Sequence, residues 1–202
     1  MSAPAGNLTD KYGSKNPVAR RLMTRFLATL DGLLDEAAPR SLLDVGCGEG
    51  IVTERFAERL GDGRVVGVDP GGEALRDDWA HHGRPNIEYL AASAGALPFA
   101  DGEFEAAAAI EVLEHVPDPD AALREMTRVA RGGHLLLSVP REPLWRALNL
   151  ARGAYWGSFG NTPGHVNHFS RRAFVRLAAE HGRVAAVCSP PPWTVVLVRL
   201  DA

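Results

Sequence analysis

Residues 41–50 read SLLDVGCGEG, an apolar run broken by one acid and followed by glycines at alternate positions. A short apolar run bounded in this way marks a strand buried on both faces, the situation in a parallel sheet covered by helices. The glycines let the backbone turn sharply and approach a ligand, with amides at the start of the next helix pointing toward it. The turn therefore predicts an α/β fold that holds its ligand at the carboxyl end of its first strand.

The remaining chain alternates in the same way. TERFAERL at 53–60 reads as a helix closed by Gly61, RVVGVD at 64–69 as a second strand and EALRDDWAH at 73–81 as a second helix. NIEYLA at 86–91 is a third strand, and EAAAAIEVL from 105 a fourth. Asp118 before Pro119 is a helix start, an N-cap with proline in the first turn. That helix, DAALREMTRVA, stops at Gly132 and Gly133, and HLLLSVP is a fifth strand. SRRAFVRLAAEHG is a capped helix, and RVAAVC and TVVLVRL are the last strands, joined by SPPPW in a candidate antiparallel hairpin at the sheet edge. Residues 1–38 form a helical lead-in or cap. Residues 39–202 are one domain, interrupted at 141–168 by an irregular, aromatic-rich insertion.

Composition narrows the function. A chain of 202 residues with net charge −3 has no overall pull toward nucleic acid or a membrane surface. No run approaches the ~20 apolar residues that span a bilayer, and MSAPAGNLTDKYGS lacks the pattern of a signal peptide. The two cysteines, Cys47 and Cys188, are far apart, and a disulfide at Cys47 would block the turn, so a reducing, cytoplasmic setting is expected.

The ligand follows from the acids. Asp69 ends the second strand 21 residues beyond Gly48, where a carboxylate accepts hydrogen bonds from ribose hydroxyls. The dinucleotide fingerprint needs G-x-G-x-x-G/A, but here the spacing is G-x-G-x-G with Ile51 at the third position, which argues against a dehydrogenase. Asp44, two residues before the first glycine, would repel a pyrophosphate and suit a cationic nucleoside. S-adenosylmethionine is such a ligand. A bland alternative is that the glycines serve only close packing.

These stretches resemble the class I S-adenosylmethionine-dependent methyltransferases. LLDVGCGEG is similar to the family's first motif, VVGVDP to its ribose-binding acid, and LPFADGEFEAAAAIEVLEHVPDPDAALREMTRVARGGHLLLSVP to the run through its fourth and fifth strands. The resemblance covers about residues 40 to 200. It implies a Rossmann-like, doubly wound sheet of seven strands with the seventh antiparallel. It also implies that Asp44, Gly46, Cys47 and Gly48 line the methionine portion of the donor, that Asp69 holds the ribose and that Pro70 packs near the adenine. An acid usually contacts the adenine amino group four residues before the leucine of ALPF. Here that position is Ser93, so the serine hydroxyl or the Ala94 amide takes its place. By the same resemblance, Glu111 lies beside the sulfonium.

Methyl transfer from a sulfonium needs an aligned nucleophile, and a hydroxyl also needs a base or a metal to assist proton loss. His115, with His165 and His168 in PGHVNHFS, stands at the expected mouth. His115 and His168 are the catalytic candidates. In EVLEH, residues 111 to 115, two carboxylates and an imidazole at i, i+3 and i+4 point the same way if the segment is helical. This resembles the metal-dependent 2'-O-methyltransferases of small-RNA 3' ends and, more loosely, the ubiquinone-pathway O-methyltransferases. By that resemblance Glu111, Glu114, His115 and His168 hold a divalent ion, Mg²⁺ or Mn²⁺. The alternative is a metal-free base at His115, and Pro117 breaks the turn early. Trp145, Tyr155, Trp156 and Phe159 are either a lid over a flat or sugar-like substrate or a small satellite core. Arg20, Arg21 and Arg25 are read as the solvated face of an amphipathic helix. DKYGSKNP, just before, is a candidate closure over the donor. The leading reading is O-methylation of a small-molecule hydroxyl; methylation of RNA ends and a non-catalytic donor-binding module are the alternatives.

Overall fold

The seven strands lie in the order β3-β2-β1-β4-β5-β7-β6 in a computed structural model that describes residues 16–151 and 153–202. They are β1 (Ser41–Val45), β2 (Arg64–Asp69), β3 (Ile87–Ala91), β4 (Ala106–Ile110), β5 (His134–Pro140), β6 (Arg183–Cys188) and β7 (Trp193–Arg199). The first five are parallel, and β7 runs antiparallel to both β5 and β6. The closing hairpin forms as expected, but β7 inserts inside β6, so β6 is the edge strand. DKYGSKNP lies almost wholly outside the described residues.

The apolar strand sequences follow from two covered faces. Helices α1 (Pro17–Ala37) and α2 (Ile51–Leu60) bury Phe26, Leu30 and Phe56 against Leu42, Val65, Ala106, Ala108 and Leu136 on one face. Helices α4 (Pro119–Val129) and α6 (Arg171–Ala179) bury Leu123, Met126 and Phe174 against Leu43, Val45, Val66, Ala107 and Leu135 on the other. Neighbours along each strand thus serve opposite cores, as the pleat requires. Arg55 pairs with Asp31 at 2.5 Å and Arg59 pairs with Asp35, tying α2 to α1. Arg20, Arg21 and Arg25 are exposed on α1.

Three local readings are corrected. The fourth strand ends at Ile110, because Glu111 adopts φ +58 and turns the chain out of the extended conformation. The insertion is not wholly irregular: α5 (Leu144–Ala151) and a 3-10 turn (Trp156–Ser158) lie within it. Helix α3 (Arg76–His81) is shorter than EALRDDWAH, beginning after a turn. Among the described residues no helix is long and apolar enough to cross a membrane.

Candidate functional site

Strand order reverses between β1 and β4, and a crevice at such a point is where parallel sheets hold ligands. The glycine turn leaves β1 here with Gly46, Gly48 and Gly50 all at positive φ. The amides of Gly46 and Cys47 donate to the Val68 carbonyl at 2.7 and 3.0 Å, pinning the turn to β2. The glycines differ in purpose. A Cβ on Gly46 would sit 2.5 Å from Val112, and one on Gly50 would sit 2.5 Å from the Tyr89 hydroxyl, whereas one on Gly48 would meet nothing within 4 Å. Close packing explains Gly46 and Gly50. Gly48 instead faces open space.

The two acids are held differently. Asp44 is 2% exposed and its Oδ2 accepts from the Thr53 hydroxyl at 2.7 Å. Burial pushes its carboxyl up to about 7, opposed by the Thr53 hydrogen bond and reinforced by the nearby Asp69 charge. Asp69 accepts from the Gly48 amide at 3.2 Å and the Gly71 amide at 2.8 Å, so it joins the glycine turn to the loop after β2. Burial, with the Asp44 and Asp69 charges, pushes the Cys47 thiol well above its ordinary range and keeps it protonated. Pro70 is exposed beside Asp69. Ser93 is exposed and its hydroxyl accepts from the Gly95 amide at 3.4 Å, while Ala94 packs against the core.

Sequence reasoning missed the support of this turn. Trp79 donates its indole N–H to the Gly48 carbonyl at 2.8 Å and stacks on Tyr89 with centroids 5.1 Å apart. The Tyr89 hydroxyl donates to the His82 carbonyl at 3.2 Å. Gly67 is packed against the same tyrosine ring.

At the end of β4, EVLEH is not a helical turn. With Glu111 at φ +58, its side chain leaves the direction of the other two, and its Oε1 accepts from the Trp193 indole at 2.8 Å. The Glu111 amide is shared by the carbonyl and hydroxyl of Ser138 on β5, at 3.1 and 3.2 Å. His115 meets the Gly164 carbonyl through Nδ1 at 3.0 Å. A carbonyl only accepts, so Nδ1 is the donor, and Nε2 is the nitrogen at which the ring can take or give a second proton. The His165 ring lies edge-on to His115 at 4.8 Å, and Trp145 lies nearly parallel to His165 at 6.2 Å.

The four residues marked for a metal do not form one group. Glu114 and His115 join His165 instead, with ligand atoms all within 4.8 Å of one another. Glu111 is turned toward Trp193, and His168 is exposed immediately after the stretch that docks on the β4 loop. That docking runs through Asn167, whose amide group donates to the Leu113 and Val116 carbonyls at 3.1 and 2.7 Å. Asn149, 2% exposed, holds the insertion together by donating to Gly160 O and Thr162 Oγ1. The aromatics of the insertion divide. Trp145 packs against the core beneath α1, whereas Trp156 and Phe159 are 69% and 81% exposed.

This strand order, with a glycine turn after β1 and an acid closing β2, is that of the class I S-adenosylmethionine-dependent methyltransferases, and the chain belongs to that class. Within it, residues 43–137 match the family described as "Methyltransferase domain". A ubiquinone/menaquinone biosynthesis C-methyltransferase of Hahella chejuensis is 39% identical over 133 residues, covering 61% of this chain and 52% of that protein. A ubiquinone biosynthesis O-methyltransferase of Alkalilimnicola ehrlichii is 29% identical over 183 residues, covering 83% of this chain and 70% of that one. The chain spans about half the length of the first of these relatives. A solved S-adenosylmethionine-dependent methyltransferase of Aquifex aeolicus shares the fold, with TM-score 0.68 and 16% identity over 93% of this chain and all of that one.

Proposed function

We propose that the protein transfers a methyl group from S-adenosylmethionine to a hydroxyl of a small-molecule acceptor, with His115 as the base. The observation that carries the reading is the pairing of Gly48 with Asp69 at the strand-order reversal. When bound, the donor supplies a methyl group already activated by its sulfonium. The cradle suits it: the face of Gly48 is open, and Asp69 is an acceptor fixed by two amides. Asp44, Gly46, Cys47 and Gly48 would hold the methionine portion, Asp69 the ribose, and Pro70, Ser93 and Ala94 the adenine edge. Asp44, raised by burial, gains its charge most readily beside a cation, which the donor is.

On the acceptor side, His115 Nε2 takes the hydroxyl proton while Gly164 holds the ring by Nδ1. His165 and Trp145 form the adjoining wall and exclude water from the transfer. Support for oxygen as the acceptor atom is that the longer of the two matches is to an O-methyltransferase. A methyl-transfer screen with labelled donor should label a phenol or sugar pool and leave RNA unlabelled. His115→Ala should lower kcat about 100-fold with donor affinity unchanged. Label on carbon, or on RNA alone, would overturn the proposal. A second reading has the Glu114–His115–His165 group hold Mg²⁺ or Mn²⁺. Activity lost to a chelator and restored by either ion decides for the metal, and full turnover in the chelator decides for the base.

A further inference from the structure

We infer that Trp193 is a positioning residue that sets the Glu111 carboxylate at the donor–acceptor junction, an inference that rests on the methyl-transfer reading above. Glu111 is the first residue beyond β4, beside the point where strand order reverses. Its backbone is left-handed, a conformation that a residue with a Cβ adopts only when its surroundings impose it. Two contacts do so here. Ser138 takes its amide through two oxygens, and the Trp193 indole donates to Oε1 at 2.8 Å.

Trp193 opens β7 opposite Pro140, 82 residues from the glutamate it serves. Its ring stacks on Phe26 of α1 at 4.5 Å and meets Trp145 of the insertion at 6.1 Å. Rings from two different elements therefore hold the indole, and it is 4% exposed. A buried indole needs a partner for its N–H, and this one finds it on a side-chain carboxylate beside the strand-order reversal rather than on a backbone carbonyl. The indole is neutral, so its hydrogen bond fixes the carboxylate without cancelling its charge. An arginine would have cancelled it. A carboxylate oriented in advance by a donor that adds no countercharge of its own suits a cationic ligand.

The test compares S-adenosylmethionine, a cation at sulfur, with S-adenosylhomocysteine, which is neutral there. Trp193→Phe keeps the ring and loses the N–H. Calorimetry should show S-adenosylmethionine binding about tenfold more weakly while S-adenosylhomocysteine hardly changes, the worth of one hydrogen bond to a charged group. In a Glu111→Ala background, Trp193→Phe should add nothing to the loss. Equal losses for both ligands, or losses that add across the two substitutions, would mean that Trp193 only packs, and the inference falls while the methyltransferase reading stands. Wild-type protein that binds neither ligand defeats both. A measurement on folded protein with native Trp193 guards against a misfolded variant: the indole N–H should exchange slowly with solvent in wild type and quickly in Glu111→Ala. Equal exchange rates would also overturn the inference.

Discussion

The glycine turn and the insertion at 141–168 both pack on the loop after β4, at Val112 and at Leu113 and Val116, but are built from different materials. The turn is backbone: left-handed glycines, amides on Asp69 and Val68, and an acid buried beneath them. The insertion is side chain: rings at Trp145 and His165, and an asparagine that bridges its loop. A backbone cradle tolerates few substitutions and suits a ligand that does not vary. A wall of side chains is easily altered, which suits the part of a methyltransferase that selects the acceptor.

Gly46→Ala forces a left-handed alanine whose Cβ lies 2.5 Å from Val112. It should cost about 4 kcal/mol in a denaturant titration, strain and overpacking together. Gly48→Ala meets no neighbour and should cost about 1 kcal/mol, yet weaken donor binding more than Gly46→Ala weakens it per unit of stability lost. Equal stabilities for the two variants would mean that the glycines share one purpose.

Asp44 gives a pH test. Its folded carboxyl titrates at about 7, above the unfolded value near 4. Between those values the folded state holds a proton that the unfolded state has lost, so wild-type stability falls as pH rises from about 4 to 7 and is level above. Asp44→Asn keeps an acceptor for Thr53 and removes this fall. Thermal melts should show the variant gaining roughly 4 kcal/mol over wild type between pH 4 and pH 8, while losing donor affinity. A stability difference that does not change with pH would show that burial does not hold Asp44 in its neutral form.

Within the insertion the effects should be smaller and confined to the acceptor. Asn149→Ala strips the donor from Gly160 and should cost about 2 kcal/mol, raising the acceptor KM with donor affinity unchanged. Phe159→Ser, on an exposed ring, should lie within about 0.5 kcal/mol of wild type. A donor-affinity loss in Asn149→Ala would show that the two regions are not separable.

What the sequence made legible follows the same division. Asp44, Gly46, Gly48 and Asp69 stand in contiguous motifs whose spacing carries their geometry, and the structure joins Gly48 to Asp69 across 21 residues. Trp79 and Tyr89 support that turn from 31 and 39 residues beyond it, as a contact between side chains that no local pattern announces. The EVLEH spacing suggested a helix, but a single left-handed residue, Glu111, redirected one carboxylate to Trp193. β7 lies between β5 and β6 because its apolar residues are buried along nearly its whole length, whereas β6 alternates as an edge strand does. RVAAVC, apolar at every position after Arg183, does not announce that alternation. Helix α5 was hidden by the prolines and glycines around it.

If the turn and the acid after β2 form one donor site, calorimetry with S-adenosylmethionine will read it. Wild type should bind, and Asp69→Ala, which removes the acceptor shared by the Gly48 and Gly71 amides, should bind about 100-fold more weakly, a loss of roughly 2.7 kcal/mol. Equal binding by the variant, or a preference of wild type for a nicotinamide dinucleotide, would contradict the account.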